Sequence, residues 1–228
     1  TWLESEIMAC PSPFPVYRVS AGSLRQTALT MRMTADGRMY SKADIPAFTL
    51  GLDGARGMVS GRRCTMDFKI KPILRRLKDL IKIPRGCKEL KVIQWIGIST
   101  DEVMRVKPSR EPWVEHRWPL IEKKMRRQDC IKYFEGRGLP KPPRSAGVFC
   151  PYHNNDEWKR LKEQEPEDFS RAVAFEKRLQ EAATKSEVST GVPFLHKSLV
   201  PIDQVDFTNP VAPQLNLFNN ECEGMCGV

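Results

Sequence analysis

An amphipathic helix followed closely by an apolar strand is the pattern that most restricts what this chain can fold into. Residues 72–83 (PILRRLKDLIKI) place Ile73, Leu74, Leu77, Leu80 and Ile81 on one helical stripe, and Pro72 suits a first-turn position. Residues 90–99 (LKVIQWIGIS) are rich in β-branched side chains and end at the polar turn Ser99-Thr100-Asp101, so they read as a buried strand. A helix joined to a strand by a short connection is the signature of a parallel sheet. Ligands in such sheets gather beyond the carboxyl ends of the strands, which makes residues 99–110 (STDEVMRVKPSR) the expected ligand region. The expected fold class is therefore α/β, a mostly parallel sheet flanked by helices.

The rest of the chain fills in around that unit. Residues 14–20 (FPVYRVS) have the apolar density of a short buried strand, and residues 21–29 suit a short helix. Residues 30–61 show little periodicity and read as a long flap or binding loop. Residues 127–136 form a helix stopped by Gly136, Gly138 and Pro140. Two further helices, 156–164 and 167–183, are separated at Pro166, and Phe169, Ala172, Val173, Leu179 and Ala183 make a core stripe on the second. The expected organisation is an α/β domain over residues 1–183 and an irregular Pro/Asn-rich extension over 184–228 that ends in cysteines. The opening TWLESEI reads as the end of an amphipathic helix, so further natural sequence is expected upstream of Thr1.

Charge is unevenly placed within the net +9. Residues 61–144 hold 23 Lys/Arg against 10 Asp/Glu, a balance of +13, while the remainder is net acidic. Such a field favours polyanionic partners: nucleotides, phosphosulfates, tRNA or DNA. Two basic clusters stand out, Arg62, Arg63, Lys69 and Lys71 before the helix, and Arg105, Lys107 and Arg110 after the strand. Arginine suits bidentate phosphate or sulfate contacts and lysine supplies a point charge. The plainer alternative for any one of them is a solvated surface. Asp101 and Glu102 are the carboxylate pair at the strand end. Trp95, inside the apolar strand, reads as core, whereas Trp113 and Trp118 flank the basic loop and are better placed to stack on a base.

Seven cysteines cannot all pair within one chain, and no secretory signal pattern opens it. Reduced thiols, metal ligands or redox chemistry in a cytoplasmic setting are expected rather than a disulfide framework. No apolar stretch is long enough to span a bilayer, and no membrane partner is expected. Cys150-Pro-Tyr-His153 has ligand types and spacing found in metal sites, with Cys64, Cys222 and Cys226 as candidate further donors; the alternative is a buried cysteine near a surface histidine. Cys222 and Cys226 are candidate redox thiols in the tail.

The order of these pieces resembles the phosphoadenosine phosphosulfate reductase family of the adenine-nucleotide α-hydrolase-like superfamily. The residues that carry it are Arg63-Cys64 before Lys69-Ile70-Lys71-Pro72-Ile73, then Ile96-Gly97-Ile98-Ser99-Thr100-Asp101-Glu102 with Arg105 and Arg110. Pro119-Leu120, Arg127-Gln128-Asp129, Leu139-Pro140 and residues 145–150 follow in order. Residues 94–158 and the ending ECEGMCGV are similar to a phage and bacterial subgroup of reductase-like proteins. The family's Ser/Gly-rich phosphate loop has no counterpart here, and Gly147 stands where the family's C-x-x-C has its first cysteine.

The resemblance implies an adenine nucleotide, ATP or phosphoadenosine phosphosulfate, as cofactor or substrate. The basic clusters would bind it, and Cys222, Cys226 and Asp101 would be the catalytic candidates. An iron–sulfur cluster or zinc would rest on Cys64, Cys150 and His153. The implied activities are phosphosulfate reduction with a dithiol reductant, or ATP-dependent adenylation and thiolation of a substrate. The alternative is a non-catalytic nucleic-acid-binding accessory protein that keeps the fold.

Overall fold

A computed structural model of the chain describes residues 5, 7–9, 13–41, 45–59, 63–139, 147–189 and 191–208. The chain is α/β; among the described residues it forms several helices and three small sheets, one of which is a parallel pair.

Helix α1 (Leu24–Leu29) begins at Ser23, whose hydroxyl accepts from the Gln26 N–H. Two antiparallel hairpins follow, β1 (Met31–Met33) with β2 (Met39–Ser41), and β3 (Ala47–Gly51) with β4 (Arg56–Val59). Residues 30–61 are therefore not a flap. The hairpins turn at Gly37 and Gly54, both at positive φ, where glycine has no Cβ to clash. Strand β3 also pairs antiparallel with β7 (Gly191–Phe194), with Thr49 opposite Pro193. Residues 14–20 do not form a strand either. Phe14, Val16, Tyr17 and Val19 are exposed, and Pro13 and Pro15 remove donors that a ladder would need.

The main core lies on helices α6 (Asn155–Gln164) and α7 (Pro166–Thr184). A capping box starts α6: Asn154 Oδ1 accepts from Glu157 N, and the Glu157 carboxylate accepts from Asn154 N. Pro166 occupies the first turn of α7, where its missing N–H costs nothing. Trp158, Leu161, Phe169, Ala172, Phe175 and Leu179 pack against Leu195, Ile202, Val205 and Phe207. Residues 191–208, assigned from sequence to an extension, thus supply a strand and four core side chains.

Two polar groups are sealed into this core. Glu176 is 1% exposed and its carboxylate accepts from the N–H groups of Leu195 and Ile202 at 2.8 and 2.7 Å. Burial pushes its pKa up, and the two backbone donors partly oppose that. His196 lies between Ser198 Oγ (2.7 Å) and Asn155 Oδ1 (3.1 Å). Burial, with a smaller contribution from the Lys197 charge, lowers its pKa to about 4.

The other half centres on one long helical run: α2 (Arg63–Thr65), a π-helical segment (Met66–Ile70) and α3 (Lys71–Ile81). It ends at Lys82, which takes a left-handed conformation. Strand β5 (Val92–Trp95) pairs in parallel with β6 (Val114–Arg117), placing Gln94 beside His116 and Trp95 beside Arg117. This pair is the parallel pairing seen among the described residues; the three-stranded sheet is antiparallel. After β5 come a 3-10 helix (Thr100–Arg105) and, beyond β6, α4 (Pro119–Glu122) and α5 (Arg127–Gly136).

Trp95 and Trp113 are the reverse of the sequence expectation, and Trp118 is half-buried. Trp95 is 70% exposed, because strand alternation turns it to the open face with Ile93. Trp113 is 2% exposed; its Nε1 donates to Glu111 Oε2 at 2.7 Å and Lys78 lies over its ring. Among the described residues no helix is long and apolar enough to cross a membrane.

Candidate anion-binding cleft

The π-helical segment sits in the wall of a cleft of about 650 Å³. The opposite wall is the carboxyl end of β5 and the loop that follows the 3-10 helix. A π-turn inserts one extra residue into a helix, and such turns occur often at functional sites. Here it lies one turn before Pro72, which is buried and fixes the start of α3.

Five of the seven expected anion-binding side chains line this cleft: Lys69, Lys71, Arg105, Lys107 and Arg110. Lys71 pairs with Asp67 one turn away, and Arg105 is held by Glu102 at 2.9 Å. Among the described residues Lys69, Lys107 and Arg110 form no ion pair. Three exposed cations therefore face one concavity without counter-charge. Glu111, the acid in the lining, is already engaged by Trp113 Nε1 and by Lys78 at 3.2 Å.

Backbone clips hold this arrangement. His116 Nδ1 is 3.0 Å from the Lys107 carbonyl, so β6 fixes the basic loop. Ser109 Oγ accepts from Glu111 N and shapes the next turn. Thr100 donates through both N–H and Oγ1 to the Met125 carbonyl, tying the end of β5 to the start of α5. On the helical wall Thr65 Oγ1 is buried and makes no hydrogen bond among the described residues.

The remaining candidates lie elsewhere. Asp101 is exposed, outside the cleft lining, and its carboxylate accepts from Arg127 N at 2.6 Å, which satisfies a first-turn donor of α5. Arg63 opens α2, and Arg62, Cys222 and Cys226 lie outside the described residues.

Cys64 is half-buried on α2, and Cys150 is half-buried in the turn before α6. His153 stands on that same turn, its ring 4.7 Å from Trp158 in an edge-on contact. An iron–sulfur cluster or a structural zinc asks for four ligands. Among the described residues no group of three or more His, Cys, Asp or Glu side chains could hold a metal ion, and Gly147 brings no donor. The described donors do not fit such a group.

Thr65, Gln94 and His116 join the cleft lining without having been singled out for it from sequence. Only the β5–β6 register brings Gln94 and His116 side by side. No protein-family model, curated protein or solved structure matches the chain.

Proposed function

We propose that the basic cleft is a nucleotide site and that the chain is an adenine-nucleotide-dependent enzyme of sulfur chemistry. The observation that carries this reading is the convergence of Lys69, Lys107 and Arg110, which form no ion pair among the described residues, at the carboxyl end of β5. A concave, positive, strand-end site is the environment in which phosphate and sulfate groups bind. The β5–β6 pair is read as part of a mostly parallel, reductase-like sheet, in keeping with the resemblance in motif order. The thiols of Cys64, Cys87 and Cys130, in no disulfide among the described residues, suit a reducing, cytoplasmic setting.

In the reductase form, Arg105, Lys107 and Arg110 hold phosphoadenosine phosphosulfate. The thiolate of Cys222 or Cys226 attacks the sulfonate sulfur. A sulfur–sulfur bond forms, and the sulfur–oxygen bond to the nucleotide breaks with its electron pair leaving on the phosphate. A dithiol reductant then displaces sulfite and is oxidised to a disulfide. In the ATP form the same cleft holds the triphosphate while a substrate carbonyl oxygen attacks the α-phosphorus and releases pyrophosphate; a hydrosulfide donor then adds to the activated carbon and expels AMP, which carries the oxygen away.

Calorimetric titration with phosphoadenosine phosphosulfate and with ATP tests the site. Submicromolar to micromolar binding, weakened about tenfold or more by Lys69→Glu with Arg110→Glu, is the expected result. Mass spectrometry of the protein incubated with phosphoadenosine phosphosulfate decides the chemistry. S-sulfonation of Cys222 or Cys226 supports reduction; its absence alongside ATP-dependent pyrophosphate release supports thiolation. No nucleotide binding at all sinks the enzyme reading and favours a non-catalytic binding protein.

A further inference from the structure

A second basic cleft adjoins the first. It has a volume of about 480 Å³ and is lined by Lys78, Arg85 and Lys88, with Glu111 and Trp113 on its far side. Glu111 lines both clefts and is the shared wall between them. Arg85 and Lys88 are exposed and form no ion pair among the described residues.

Both clefts lie along α3. Lys71 to Lys78 spans about 10 Å of helix axis at ~1.5 Å per residue, and Arg85 and Lys88, beyond the helix end, line the second cleft together with Lys78. The cations of the two clefts that form no ion pair among the described residues thus fall into two groups, Lys69, Lys107 and Arg110 in the first, Arg85 and Lys88 in the second. A mononucleotide filling the first cleft leaves the second group uncompensated. An extended polyanion with regularly spaced phosphates meets both.

A further feature marks the kind of polyanion. Trp95 borders the first cleft, is 70% exposed, and its ring meets no other aromatic ring or cation among the described residues. An acidic peptide has no use for such a ring. Single-stranded nucleic acid does, because its unpaired bases stack on aromatic faces while cations follow the backbone. We infer that the two clefts form one track for single-stranded nucleic acid, with Trp95 as the base-stacking platform and Arg85 and Lys88 as phosphate contacts. This goes beyond the nucleotide reading, since Arg85 and Lys88 lie outside the nucleotide cleft.

The test is fluorescence anisotropy with a labelled oligothymidylate of about twelve nucleotides, across a salt series. Arg85→Glu with Lys88→Glu is expected to weaken binding at least about tenfold and to lower the slope of log affinity against log salt by about 1.4. Trp95→Ala is expected to weaken binding roughly tenfold without changing that slope. ATP affinity should be unaltered by the Arg85/Lys88 change, and matching circular-dichroism melts show that the variants fold.

Oligothymidylate binding that ignores both substitutions overturns the track. So does equal affinity for polyglutamate that is indifferent to Trp95→Ala, which marks a general polyanion patch. Equal affinity for a hairpin duplex removes the single-strand assignment. Loss of ATP binding with oligonucleotide binding intact strikes the nucleotide reading and leaves this one standing.

Discussion

The half built on α6 and α7 and the half built on α3, β5 and β6 treat burial in opposite ways. In the first, Trp158, Phe175, Leu195 and Ile202 are at most 2% exposed, and even a carboxylate and an imidazole are sealed in with their partners. In the second, Ile93, Trp95, Leu80 and Ile81 are each between 39% and 70% exposed, and unpaired cations crowd two clefts. Like charges brought together repel, so the basic half gives up stability that an anionic ligand restores. The difference teaches that the α6–α7 half holds the main core, while the β5–β6 half carries the exposed cations on which the proposed anion site rests.

Core truncation should separate the halves most strongly. Phe175→Ala is expected to cost about 3–5 kcal/mol in urea denaturation, as filled aromatic sites do when emptied. A loss below about 1 kcal/mol would mean that this core is not the stabilising one. Glu176→Ala comes next, at about 2–4 kcal/mol, because it orphans the buried N–H groups of Leu195 and Ile202.

Titration sharpens the contrast further. Glu176 has a raised folded pKa, so its stabilising contribution is complete below about 4.5 and is lost as pH rises through the raised value. Glu176→Gln, always neutral, should flatten that fall. His196 has a folded pKa lowered from 6.5 to about 4, so its contribution is present above 6.5 and lost as pH falls toward 4. Denaturation at pH 7 and pH 5 should differ by about 2 kcal/mol from this group, and His196→Gln should remove the difference.

The smallest stability effects belong to the basic half. Trp95→Ala, and Lys69→Glu with Arg110→Glu, should each change stability by no more than about 0.5 kcal/mol while weakening ligand binding. A large stability loss from Trp95→Ala would erase the distinction between the halves.

Much of the helical structure was legible in the chain. The helices expected at 72–83, 127–136, 156–164 and 167–183 appear within a residue or two, because helix periodicity and its stops are local in sequence. The hairpins of 31–59 were not legible. Their strands are only three to five residues long, and β3 finds its second partner, β7, far along the chain. The tryptophans misled for a related reason. Trp95 sits in an apolar run, but the face it occupies depends on what covers β5, and Trp113 is buried with Lys78, from a different element, over its ring and the nearby Glu111 carboxylate on its Nε1.

The site divides the same way. The chain alone offered Arg62, Arg63, Lys69, Lys71, Arg105, Lys107 and Arg110 as candidate anion ligands, since residue type and position before a helix or after a strand are written in sequence. Their meeting in one cleft, the absence of counter-ions on Lys69, Lys107 and Arg110 among the described residues, and the diversion of Asp101 to Arg127 were decided by packing. Sequence thus determined which charges the molecule carries and where its helices run, because both are properties of short segments. Tertiary structure alone decided which charges are neutralised and which tryptophan faces water, because pairing and burial depend on residues distant in the chain.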